Sequence, residues 1–182
     1  MSNYLAFILE LTVPVSSSQF RQVLSRFATG VTIVTVKNQQ GVHGLTVNAF
    51  TSVSLEPPLI LICIQKTGVS HDALSESKHF VVNILSSQQK NLADRFANAN
   101  LSSSERFQNL SYQLNAQGIP ILSGTLGHLE CRVVNELDGG DHSIFLSEVE
   151  QAEVSEVKEP LIFYNSQYFQ AGVEHDSTES SK

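Results

Sequence analysis

The stretch Gly44-Leu45-Thr46-Val47-Asn48-Ala49-Phe50-Thr51-Ser52-Val53-Ser54-Leu55-Glu56-Pro57-Pro58-Leu59 decides how the chain folds. It opens as a strand and closes on two prolines, and between them lie hydroxyls, an amide and small side chains. Alternation puts Leu45, Val47 and Ala49 on one face and Thr46, Asn48 and Phe50 on the other. One face therefore enters a core, while the other carries donors and acceptors that need partners wherever they are half buried. The pattern reads either as a wall facing a flat polar ligand or as an antiparallel strand with a solvated face.

The flanks set its place. Asn38-Gln39-Gln40-Gly41 is a turn, and before it residues 31–36 are β-branched throughout, as suits a strand buried on both sides. The quoted stretch is thus the second arm of a hairpin. Upstream, Ser16 and Gln19 have capping-box spacing, Phe20, Val23, Leu24, Phe27 and Ala28 recur at helical spacing, and Gly30 stops the helix. Downstream, residues 59–64 form a third strand and 65–70 a loop with Lys66, Thr67, Gly68 and Ser70 ahead of a short helix at 71–76. Such a loop reads as a simple turn or as a phosphate cradle at a helix N-terminus. Residues 80–85 make a fourth strand, and 88–96 a second helix. A polar segment at 97–121, with one helical turn at Glu105-Arg106-Phe107, covers something. A second hairpin, 125–137 and 143–154, turns at Asp138-Gly139-Gly140-Asp141-His142, and 161–164 is the last strand. Strands outnumber helices and hairpins outnumber crossovers. The fold class is mainly β, a Greek-key or split antiparallel barrel with flanking helices.

The bulk properties agree with one domain of 182 residues, large enough for a core. A formal charge of −7 and the lack of a Lys/Arg cluster argue against a nucleic-acid surface, and no apolar run nears the roughly 20 residues of a membrane span. Cys63 and Cys131, each inside an apolar run, read as buried free thiols of a reducing compartment, so the expected location is the cytoplasm. The apolar run Tyr4-Leu5-Ala6-Phe7-Ile8-Leu9 follows no basic residue and is cut by Glu10, so residues 1–19 read as an N-terminal arm rather than a signal peptide. The main domain spans 20–170, and 171–182 form a tail too polar to order itself.

Motifs for metal hydrolysis, a nucleophile elbow, a Walker loop or a dinucleotide fingerprint are absent, and no metal ligands are assigned. One polar constellation remains at the second hairpin tip. Gly139 and Gly140 let backbone approach a ligand, Asp141 can orient an imidazole, and His142 can contact an anionic or amide group; a plain turn with an exposed His is the other reading.

Taken in order, Phe20-Arg21, the run from Arg26-Phe27-Ala28-Thr29-Gly30-Val31-Thr32 to Thr35, residues 44–59, Phe80-Val81-Val82-Asn83-Ile84-Leu85, Leu92-Ala93-Asp94-Arg95-Phe96, Leu129-Glu130-Cys131 and Gly139-Gly140-Asp141-His142 resemble the flavin reductase family of the FMN-binding split-barrel fold. Its members are the small reductase components of two-component flavin monooxygenases. The resemblance covers about 20–168. It implies a homodimer that binds FMN or FAD near the subunit interface, uses NADH or NADPH, and supplies reduced flavin to a monooxygenase partner. It further implies that Thr46, Val47, Asn48 and Ala49 line the flavin ring, and that Thr51, Ser52 and Val53 continue toward the ribityl chain. Ser70 would meet the phosphate, and Gly30, Val31 and Thr32 would edge the pocket. His142 and Asp141, with Gly140 beside them, would meet the nicotinamide, and Phe96 would stack nearby. Hydride transfer between two held rings asks for orientation rather than perturbed side chains, which suits the missing catalytic motifs. Two further readings are an oxidase or electron-transfer flavoprotein with tightly held FMN, and a non-enzymatic binding module.

Overall fold

The computed structural model describes residues 15–157 and 159–171; residues 1–14 of the expected arm and 172–182 of the expected tail lie outside these, and residues 17–19, expected to end the arm, are helical. In chain order the elements are α1 (Ser17–Leu24), β1 (Thr29–Gly30), β2 (Thr32–Asn38), β3 (Gly41–Val47), β4 (Phe50–Leu55), β5 (Pro58–Gln65), α2 (Val69–Ser77) and β6 (His79–Ile84). After a 3-10 turn at Ser87–Gln89 come α3 (Lys90–Ala97), α4 (Ser103–Phe107), β7 (Tyr112–Leu114), β8 (Pro120–Leu122), β9 (Gly127–Gly139), β10 (His142–Val154), β11 (Leu161–Tyr164) and β12 (Gln167–Gln170).

Seven strands form one antiparallel sheet in the order β3-β2-β6-β9-β10-β5-β4. Its two outermost strands are consecutive in sequence, joined only by Asn48 and Ala49. Two residues reach about 7 Å at most, so the sheet must curl until its edges meet. The Cys63 N–H donates to the Ala49 carbonyl at 3.0 Å, which ties that junction to β5. The result is a barrel with its seam at the junction, and the expected split barrel is what the chain forms.

The sheet packs on both faces. Val34, Val36, Ile60, Ile62, Ile64, Phe80, Val82, Cys131 and Phe145 fill one cluster together with Ala73 and Leu74 of α2. Val31, Ile33, Leu85, Ala93, Phe96, Phe107, Leu122 and Leu161 form a second, under α3 and α4. β2 feeds both clusters by alternation, which explains its unbroken β-branched run. Asn83, buried beside this second layer, is paired: its Nδ2 donates to the Ile33 carbonyl at 3.0 Å and its Oδ1 accepts from Leu122 N–H at 2.8 Å. α4 and β7, within the segment expected to cover something, lie beside this layer, with Phe107 packed edge-on against Phe96 and Tyr112.

Several expectations are corrected. The simple alternation through residues 44–50 breaks, because Leu45, Val47 and Phe50 all pack on the first cluster while Ala49 is exposed. The chain changes edge strand at Asn48 and Ala49, and that corner shifts the parity by one residue. α1 has the expected capping box at Ser16 and Gln19 but ends at Leu24 rather than near Gly30. There the Ser25 hydroxyl bonds back to the Gln22 carbonyl at 2.8 Å, and Gly30 belongs to β1. Cys63 is half buried rather than buried. The C-terminal strand is two strands, β11 and β12, turning at Asn165 and Ser166, both with positive φ.

Candidate functional site

The corner at Asn48 and Ala49 opens onto a cavity of about 280 Å3. Gly30, Val31 and Thr32 form one side of it, Asn48 and Phe50 another, and Phe27, Ala28, Thr29 and Ile84 complete the lining. Thr32 owes its place to β2 and β3: its hydroxyl donates to the Val47 carbonyl at 2.7 Å and so holds the last rung of that pair. Most of the wall is apolar, and one polar atom stands out. The Thr29 hydroxyl oxygen is buried and has no hydrogen-bond partner among the described residues. A buried hydroxyl left unpaired is costly, so a ligand that bonds to it removes a penalty. An apolar slot with an orphan hydroxyl, bordered by backbone at a strand corner, fits a flat heteroaromatic ring with a polar rim.

β4 extends the same surface. It is an outermost strand of the sheet, and among the described residues it pairs only with β5, which leaves its other edge without a strand partner. Thr51, Ser52 and Val53 lie exposed along it, with a register shift between Ser52 and Ser54.

Two strands away from Ala49 stands the tip of the β9–β10 hairpin. Ala49 neighbours Cys63, Cys63 pairs with Ile144, and His142 pairs with Gln65, so the tip lies at the same end of the barrel about 10 Å across the sheet. Asp141 Oδ1 accepts from His142 Nδ1 at 2.7 Å. That bond, then the imidazole's charge and a smaller contribution from Arg21 of α1, holds the Asp141 carboxyl below the usual carboxylate range. The pair aims the imidazole by fixing one nitrogen and leaving the other for a ligand. Gly140 sits at φ +80°, a conformation that side chains resist.

Some of the expected site residues serve the scaffold instead. Thr46 donates its hydroxyl to the Ala93 carbonyl at 2.6 Å and so anchors α3 on β3. Val47 is 5% exposed and belongs to the barrel interior. Phe96 is 1% exposed and packs against Gly44, where an added Cβ would sit 2.6 Å from its ring; it is a core residue, not a stacking partner for a ligand. Ser70 is 4% exposed within the first turn of α2, and Lys66 is committed to the hairpin tip, so the loop at 65–70 offers neither to a phosphate. The cavity residues that sequence reasoning left out of the site are Phe27, Ala28, Thr29, Phe50 and Ile84. Thr29, directly before Gly30, was the most accessible to such reasoning, because a hydroxyl next to a pocket-edging glycine is a natural donor.

Among known families, the model described as flavin reductase like domain matches residues 24–172. The chain is 42% identical over 137 residues to FMN reductase (NADH) SmoA of Agrobacterium fabrum, covering 75% of this chain and 76% of that protein. It is 38% identical over 162 residues to the flavin-dependent monooxygenase reductase subunit HsaB of Rhodococcus jostii, covering 88% and 80%. Among solved structures, the NADH:FAD oxidoreductase SgcE6 of Streptomyces globisporus, in complex with NAD and FAD fragments, superposes with a TM-score of 0.81 at 37% identity, over 92% of this chain and 99% of that one.

Proposed function

The chain belongs to the flavin reductase like domain family, and on that premise we propose that it is an NADH-dependent flavin reductase, moving a hydride from NADH to FMN or FAD and releasing reduced flavin to a partner monooxygenase. What supports this reading is the apolar cavity with its orphan Thr29 hydroxyl, together with the Asp141–His142 pair on the hairpin two strands from the Asn48–Ala49 corner. Relatives named as NADH-dependent reductases and as a monooxygenase reductase subunit support it.

When bound, the flavin supplies the hydride-accepting chemistry. The protein's residues orient the reactants and exclude water. Gly30, Val31, Thr32, Asn48 and Ala49 hold the ring, with Thr29 donating to its polar rim. Thr51, Ser52 and Val53 follow the ribityl chain along β4, and backbone N–H groups on the open edge face the negative charge that reduction builds. Thr46 and Val47 act from behind, fixing β3. His142, aimed by Asp141, meets the nicotinamide beside Gly140.

The reading includes a homodimer, because Phe20, Val23, Leu24 and Phe27 are exposed, the last of them in the lining of the cavity. It also includes a reducing cytoplasm, in keeping with two free thiols, of which burial pushes Cys131 up to about 12. Residues 20–170 act as one functional unit. Purified protein should oxidise NADH at a rate that rises with added FMN or FAD. An absence of flavin-dependent oxidation with either flavin overturns the proposal.

A further inference from the structure

The tip that carries Asp141 and His142 is a turn built on two glycines, and Gly140 has left-handed backbone. Such a turn has little order of its own. One residue outside the hairpin grips the turn itself from both sides. Lys66, at the start of the loop between β5 and α2, pairs its ammonium with the Asp138 carboxylate and donates from the same nitrogen to the Gly140 carbonyl at 2.6 Å. Its backbone N–H donates to the Asp141 carbonyl at 3.0 Å. The ammonium also offsets one of the two carboxylates that crowd the turn, and it holds the Asp138 carboxyl below its usual range. Below the tip, His71 Nε2 and Ser143 Oγ lie 2.8 Å apart, so the next rung is tied to α2 as well.

We infer that Lys66 is a positioning residue for the nicotinamide step: through Asp138 and the Gly140 carbonyl it fixes the tip so that His142 faces the dinucleotide, without touching the dinucleotide itself. This rests on the reading of His142 as the nicotinamide contact. The ion pair is exposed at Asp138, and exposed pairs add little to global stability, so the consequence is local order at the tip.

The test compares Lys66→Met, Lys66→Arg, Asp138→Asn, His142→Ala and the double variant Lys66→Met/His142→Ala in steady-state NADH oxidation with saturating flavin. Flavin titration and hydrogen–deuterium exchange across residues 138–142 are run on the same proteins. Lys66→Met and Asp138→Asn should each raise the KM for NADH about three- to tenfold with kcat within about twofold. Flavin affinity should hold, exchange at the tip should quicken, and Lys66→Arg should recover most of the loss. Because Lys66 acts through His142, the double variant should be no worse than His142→Ala alone. If His142→Ala raises the KM and Lys66→Met does not, the positioning role is overturned while the reading of His142 stands. If His142→Ala leaves the KM unchanged, the reading itself fails and the inference with it. Effects that multiply in the double variant overturn the positioning role in favour of direct contact between Lys66 and NADH.

Discussion

Thr29 brings a chemical demand to the cavity wall, a buried hydroxyl without a partner among the described residues. In the ligand-free protein that group is a liability, and on the proposed function a bound flavin would turn it into a contact. Thr29→Val keeps the shape and removes the oxygen. A net hydrogen bond contributes about 0.5–1.5 kcal/mol, so the variant should bind FMN about two- to tenfold more weakly, while its ligand-free thermal midpoint stays level or rises. Fluorescence titration and a melting curve check both halves, and unchanged flavin affinity removes Thr29 from the site. The sequence made Gly30, Val31, Thr32 and Asn48 legible as one group, and the structure brings them to one cavity. It did not reveal that Thr46, Ser70 and Phe96 are turned to other tasks. A hydroxyl or a ring reads alike whether it meets a ligand or the neighbouring helix, and only the packing of α3 on β3 separates the two.

β3 does more than lead the chain into the cavity corner, because α4 is strapped across it. His43 of β3 is buried, with Nε2 3.1 Å from Asn38 Oδ1 and Nδ1 3.0 Å from Ser103 Oγ, while Arg106 donates to the Gly44 carbonyl at 2.8 Å. Burial lowers the His43 pKa below the ordinary 6.5, with Glu76 opposing and Arg106 adding to the shift. Below about pH 6.5 the unfolded chain takes up a proton that the folded one refuses, so folded stability falls with pH until the lowered value is passed, and then levels. Urea midpoints measured between pH 7.5 and 5 should show that decline in the natural protein and a flatter profile in His43→Gln. Parallel profiles would show that His43 does not carry it. At this scale the sequence was readable wherever a pattern was local: the hairpin at 38–41, the capping box of α1 and the turn of α4 follow from neighbouring residues. It was not readable at the corner, where parity shifts because the chain leaves one edge of the sheet for the other, a fact of barrel closure rather than of local propensity.

As a whole, the molecule is a closed barrel with an unfinished side. No residue of α1 is buried, and Val23 and Phe27 are 71% and 74% exposed. A helix of eight residues is marginal in water on its own, so an apolar face of this kind needs something to pack on. The cavity has the same shortage. At about 280 Å3 it lies at the lower bound of the roughly 300–1,000 Å3 that small-molecule sites occupy, and Phe27, next to α1, forms part of its rim. On the proposed homodimer, a second copy laid on α1 would cover the apolar face and wall the cavity, and flavin affinity would then be a property of the dimer. Val23 faces outward from α1 and does not line the cavity, so Val23→Asp separates association from direct contact. The variant should run as a monomer in size-exclusion chromatography with light scattering, keep its far-ultraviolet circular dichroism, and bind FMN at least about tenfold more weakly, since one wall of the site is lost. A monomeric variant with undiminished flavin affinity would show that one barrel suffices for the site, and a variant that remains dimeric would move the interface away from α1.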